Sequence, residues 1–191
     1  MNHSLKESIK DYKFKVDNVW DKLDQTKIEI LALSIFEVWK NEATVFICGN
    51  GGSATNANHL ANDLIYGVNT QGKGIKVHSL CSNNSILTCL ANDIGYPNVF
   101  SKQLHTLGSS KDIIIVFSGS GNSKNIISVI KEANKIGMQT HGLFGFDGGL
   151  CKAIVDNYIH FEVNDMQVAE DFQMIIGHII IKFLQKYYDT R

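Results

Sequence analysis

TVFICGNGGS (44–53) and DIIIVFSGSGNS (112–123) share one construction. Each opens with β-branched and aromatic residues, enough for one buried strand, and closes on a bend of glycine, asparagine and serine. Apolar strands that break abruptly toward a helix start belong to a parallel sheet covered on both faces. Working outward, the alternation recurs. Residues 75–80, 140–144 and 158–163 predict further strands, and 53–66, 82–92, 98–107 and 122–136 predict helices, with 168–188 as a long closing helix. The chain therefore reads as α/β, three layers around a five-stranded parallel sheet. Right-handed crossovers favour the flavodoxin-like order 2-1-3-4-5.

Before the first strand, residues 1–40 predict two helices. Ser4 and Glu7 have the spacing of a capping box. Phe14, Val16, Val19, Trp20 and Leu23 recur at helical spacing, and Ile28, Ile30, Leu31, Leu33, Ile35, Phe36, Val38 and Trp39 run almost around the second helix. One amphipathic stripe needs less apolar surface. Two readings account for the excess, deep core packing or a subunit interface.

With 191 residues and 44% hydrophobic composition, the chain suits one domain over 1–191. Its formal net charge of -1 gives no long-range attraction to nucleic acid or an acidic membrane. No apolar run reaches the length of a membrane span. Cys48, Cys81, Cys89 and Cys151 form no CxxC pair and no leader-like stretch precedes them, so reduced, mostly buried thiols in a cytoplasmic protein are expected.

In the order 2-1-3-4-5 the sheet reverses direction between its first and third strands, and ligands bind outside the strand ends at such a point. Both bends fall there. Each exposes backbone N–H groups at a helix N-terminus, where an anion is favoured, and serine hydroxyls add donors. Neither bend contains Lys or Arg, which suits a terminal phosphate monoester. A dinucleotide site is disfavoured, since GNGGSA (49–54) lacks the third glycine of GxGxxG and no acidic residue closes the second strand; a P-loop is excluded because no GKS or GKT follows. His59 and Asp63, four residues apart, share a helix face beyond the first bend, and Glu170 and His178 lie on the closing helix. If those helices meet, two histidines and two carboxylates can bind a divalent ion or transfer protons. His78, His105, His141 and His160 have no partners legible in sequence and are expected to be structural.

The runs ICGNGGSATNANHLANDL (47–64), LANDIGYPNVFS (90–101) and FSGSGNSKN (117–125), with IIGH (175–178), resemble the sugar isomerase (SIS) domain, and within it the phosphoheptose isomerases. Those enzymes convert sedoheptulose 7-phosphate to D-glycero-D-manno-heptose 7-phosphate. The resemblance implies substrate contacts at Asn50, Gly51, Gly52, Ser53, Asn92 and Asp93, and a phosphate cradle at Ser118, Gly119, Ser120 and Ser123. It implies one Zn²⁺ per subunit on His59, Asp63, Glu170 and His178, with catalysis by Asp63, His178 and Glu170. It also implies a homotetramer with sites at subunit interfaces. Three positions depart from the family pattern: Asp63 replaces its usual Glu, Glu170 its usual Gln, and Gly67 a common Arg. Two functions are therefore weighed: an aldose–ketose isomerase working through an enediol(ate), and a non-catalytic SIS module that binds a phosphosugar or a protein partner as a regulator.

Overall fold

The computed structural model describes residues 4–189; residues 1–3 and 190–191 of the expected 1–191 domain lie outside the described residues. Helix α1 (Leu5–Asp21) starts at the expected capping box: the Ser4 hydroxyl accepts from the Glu7 amide at 3.2 Å, and the Glu7 carboxylate accepts from the Ser4 amide at 2.7 Å. Helix α2 (Gln25–Lys40) is capped by Asp24 and buries Leu31, Ala32, Ile35, Phe36 and Val38. Its apolar excess goes into the core. The exposed apolar residues of this region are on α1 and at its end, where Leu5, Ile9, Phe14 and Trp20 face outward and only Val19 is buried.

Strands β1 (Thr44–Cys48), β2 (Lys76–Ser79), β3 (Ile113–Ser118), β4 (Gln139–Phe144) and β5 (Asn157–His160) form one parallel sheet in the order β2-β1-β3-β4-β5. The expected order is observed. β3 is buried along its whole length because β1 and β4 flank it and both faces are covered. Helix α3 (Gly52–Asn62) packs on β1, β2 and β3, and α8 (Met166–Asp189) packs on both α2 and α3. The opposite face carries α6 (Lys124–Ile136), which contacts β3 and β4 and is flanked by α5 (Ser101–Leu107) and the short α7 (Gly149–Lys152). Helix α4 (Asn84–Ile94) buries none of its residues fully. Phe46, Phe117, Phe144, Phe161 and Phe172 anchor the core.

Most boundaries shift by one or two residues, as with α4 at 84–94 for the expected 82–92, and four differences are structural or bear on the site. The predicted helix 53–66 ends at Asn62 and widens into a π turn, Asp63–Gly67. The Val68 amide bonds the Asp63 carbonyl at 2.8 Å, and the Leu64 carbonyl is taken by the Ile75 amide at 2.9 Å. Capture of that carbonyl by the approach to β2 is what opens the turn. The predicted 98–107 helix divides into a 3₁₀ turn, Tyr96–Asn98, and α5. β5 stops at His160, although Val163 still accepts from the Phe146 amide. α8 begins two residues early, at Met166.

His141 on β4 is 2% exposed, and its Nε2 has no hydrogen-bond partner among the described residues. Burial lowers its pKa from 6.5 to about 4. The unfolded chain binds a proton as pH falls through about 6.5, whereas the folded chain does so only near 4. Stability is thus intact above 6.5 and drains away between 6.5 and 4, by about 3 kcal/mol in all. The expected result is that His141→Leu flattens the dependence of Tm on pH in this window. Parallel Tm curves for the two proteins contradict it.

Candidate active site

The two bends meet. Asn50, after β1, and Asn125, in the first turn of α6, exchange amide hydrogen bonds of 2.9 and 2.8 Å. The Tyr96 hydroxyl adds a third bond to Asn50 Oδ1 at 2.8 Å. Asn125 is buried, so this pair bolts the first bend to the second from beneath. Between them lies a crevice of about 220 Å³ lined by residues 50–53, Phe117, Ser118, Gly119, Ser120, Ser123, Met166 and Glu170. The amides of Gly52, Ser53, Ser120 and Ser123 have no intramolecular acceptor among the described residues. Ser123 is the N-cap of α6, yet its hydroxyl makes no capping bond. These donors remain available to an anion. The Ser118 hydroxyl works differently: it accepts from the Gly121 amide at 3.0 Å and shapes its own bend.

Beneath the crevice the Gly49 amide and carbonyl both contact Cys81 Sγ, at 3.4 and 3.3 Å. Burial pushes the Cys48 and Cys81 thiols up and takes Cys151 to about 12. These three cysteines act as small apolar residues and supply no thiolate nucleophile.

Farther along α3, His59 and Asp63 meet His178 of α8. The three ligand atoms form a near-equilateral triangle: His59 Nε2 to Asp63 Oδ2 is 3.5 Å, His178 Nε2 to Asp63 Oδ2 is 3.6 Å, and the two imidazole Nε2 atoms are 3.4 Å apart. A point equidistant from all three lies about 2.0 Å from each, the length of a Zn–N or Zn–O bond. Both imidazoles are about half exposed, so a fourth position is open to solvent or substrate. Two features bring the helices together. Asn56 Nδ2 donates to the Glu170 carbonyl and to Gln173 Oε1. One residue before His178, Gly177 leaves room for Leu60, whose Cδ1 lies 3.2 Å from where a Cβ would stand. Asp63 is the first residue of the π turn, which sets its angle relative to His59.

Glu170 does not join this triangle. Eight residues of helix separate it from His178, about 12 Å of rise. Its carboxylate lies over the start of α3 instead, so close that a Cβ at Gly52 would stand 2.2 Å from Glu170 Oε2. The expected four-atom ligand set is thus three atoms here, with Glu170 on the wall of the crevice. Gly52→Ala is expected to fold, since the atom it meets is the far end of a flexible side chain, but to displace that carboxylate. Stability should change by about 1 kcal/mol or less while the affinity of the crevice for inorganic phosphate falls about fivefold. An unchanged phosphate affinity contradicts this.

Asn92 and Asp93 lie on the exposed end of α4, where Asn92 Nδ2 donates to Asp93 Oδ1 at 2.8 Å; neither lines the crevice of this chain. Gly67 lies beside Asp63, with 3.7 Å between a would-be Cβ and the Asp63 side chain. Of the four histidines read as structural, His105 pairs with Glu132 at 2.8 Å and His160 with Lys152 and the Phe146 carbonyl. Sequence reading missed Asn125, Tyr96, Phe117 and Met166. A buried asparagine two residues past Ser123 was a usable signal; Met166 was not, because it enters from the far end of the chain.

The sheet order, the twin bends at its switch point and the histidine–carboxylate cluster define a sugar-isomerase architecture, and residues 11–145 match the SIS domain family. The phosphoheptose isomerase of one Helicobacter pylori strain is 35% identical over 154 residues, 81% of this chain and 80% of that protein. That of a Nitratiruptor species is 31% identical over 188 residues, covering 98% of this chain and all of that one. The solved phosphoheptose isomerase of Neisseria gonorrhoeae superposes with a TM-score of 0.87 at 26% identity, over 96% of this chain and 100% of that one. The chain belongs to the SIS-domain family, in its phosphoheptose isomerase branch.

Proposed function

We propose that the protein is an aldose–ketose isomerase that converts sedoheptulose 7-phosphate to D-glycero-D-manno-heptose 7-phosphate through an enediol(ate). The observation that carries this reading is the convergence of the two bends, with free amide and hydroxyl donors and no cationic side chain, beside a carboxylate and a His–Asp–His cluster. The phosphoryl group takes the amides of Gly52, Ser53, Ser120 and Ser123. Asn50, Gly51 and Gly119 complete that cradle, and Asn92 and Asp93 meet the sugar when subunits assemble. Asp63 Oδ removes the proton next to the carbonyl, and His178 Nε2, 3.6 Å away, exchanges a proton with the carbonyl oxygen when no ion occupies the cluster. Glu170, on the crevice wall, orients a substrate hydroxyl and is the second candidate base.

His59, Asp63 and His178 would hold Zn²⁺, one per subunit, with the fourth position open to substrate. A bound ion supplies positive charge that stabilises the enediolate oxygens. Zinc titrated into chelator-treated protein should raise Tm, and should do so far less in His59→Ala. Equal shifts in both proteins contradict this ligand set.

The exposed apolar residues of α1, together with Ile65, Tyr66, Ile94 and Tyr96, support a homotetramer with sites at subunit interfaces. Among the described residues no helix is long and apolar enough to cross a membrane. A single domain in the cytoplasm, feeding heptose biosynthesis, fits these features. The regulator reading is less well supported, because a binding module has no need of a His–Asp–His cluster. Proton exchange decides between them. Incubated with sedoheptulose 7-phosphate in heavy water, the enzyme should place deuterium at C2 of the aldose product. Binding without label favours the regulator.

A further inference from the structure

The glycine-rich turn after β4, GFDGG (145–149), has no part in the chemistry above, yet it is built against the phosphate bend. The Cys151 amide donates to the Gly121 carbonyl at 2.9 Å and the Leu150 amide to Asn122 Oδ1 at 3.0 Å. Within this turn Phe146 has φ +50°, one of two non-glycine residues with positive φ among the described residues. An aromatic residue holds that conformation only where its surroundings impose it, and such strain gathers at functional sites.

The surroundings are visible. The Phe146 amide donates to the Val163 carbonyl at 3.0 Å, and its own carbonyl accepts from His160 Nε2 at 2.9 Å. Lys152 Nζ lies 3.2 Å from His160 Nδ1. A carbonyl can only accept and an ammonium can only donate, so the pair fixes both the ring tautomer and the ring orientation. Held this way, the Phe146 ring reaches Gly119 of the phosphate bend: its Cε2 is 3.8 Å from where a Cβ at Gly119 would stand. Met166 Sδ occupies that same space, at 2.2 Å, and Met166 lines the crevice.

We propose that Phe146 is a positioning residue for sugar-phosphate binding: its left-handed backbone, locked by His160, holds the ring beside Gly119 and Met166 and so fixes the width of the crevice. Met166 is then the apolar wall that touches substrate, and the Lys152–His160 pair is its remote support. This rests on the crevice being the sugar-phosphate site.

The test compares Phe146→Gly, His160→Ala, His160→Gln and Ser123→Ala, reading KM and kcat for the ketose 7-phosphate alongside Tm. Phe146→Gly relieves the strained φ and removes only the ring, so it should melt no earlier than its ring loss demands while KM rises about tenfold and kcat stays within about twofold. His160→Ala should raise KM similarly, and His160→Gln, which keeps a donor for the carbonyl, should recover most of the loss. A purely structural role moves Tm and leaves KM alone, and that outcome overturns the proposal. If Phe146→Gly does not fold, the His160→Ala and His160→Gln pair decides: equal KM values overturn it. Ser123→Ala, which removes a crevice hydroxyl that makes no capping bond, separates the two levels. If it raises KM and the other variants do not, only the positioning role fails; if it too leaves KM unchanged, the crevice reading fails.

Discussion

Asp63→Asn is expected to lower kcat for heptose-phosphate isomerisation about 10³-fold while KM stays within about threefold. Asparagine keeps the shape of the side chain and loses its basicity. Asp63 Oδ2 is the vertex shared by both imidazoles, 3.5 Å from His59 and 3.6 Å from His178, so this one change removes the proposed base and the charge proposed to hold the ion. The proposed phosphate cradle lies in the bends before α3 and α6, so the anchoring of the substrate's phosphoryl end should survive. Asp63→Glu returns the family's usual longer side chain and should retain most of the activity. Steady-state kinetics on the two variants checks both expectations. Undiminished turnover in Asp63→Asn removes this residue from the mechanism and leaves Glu170 as the base.

Gly121→Ala is expected to cost at least about 3 kcal/mol of folding stability and to abolish saturable sugar-phosphate binding. Two effects compound. Gly121 has φ +64°, where an L side chain is strained. Its Cβ would stand 1.9 Å from the Gly148 carbonyl oxygen, and backbone cannot yield as a side-chain tip can. The phosphate bend and the turn after β4 interlock here, and the Gly121 amide is also the donor to the Ser118 hydroxyl. Urea unfolding measures the stability, and calorimetric titration with inorganic phosphate measures the site. A variant with wild-type midpoint and wild-type phosphate affinity contradicts the claim that this interlock forms the cradle.

What was legible in the sequence was whatever depends on local pattern. β3 reads IIIVF and is buried on both faces, and its run of β-branched residues signals a central parallel strand. The bends at 49–53 and 118–123 are visible as interruptions of such runs, and the sheet order places them together. The π turn is not visible, because it forms when the Ile75 amide takes the Leu64 carbonyl, a contact set by tertiary structure. The meeting of α3 with α8 is likewise illegible; it depends on Leu60 seating beside Gly177, more than a hundred residues away. Glu170 and His178 look like a pair on one helix, yet the rise between them gives each a different neighbour. The excess apolar surface of the N-terminal helices had two readings; that of α2 goes into the core, while α1 keeps Leu5, Ile9 and Phe14 at the surface.

The most direct measurement is a crystal soaked with sedoheptulose 7-phosphate. Phosphoryl density hydrogen-bonded to the Ser53 and Ser120 amides, with the sugar carbons reaching toward Glu170 and Asp63, is the predicted result. Density for the ligand elsewhere on the molecule, with nothing held by those amides, contradicts it.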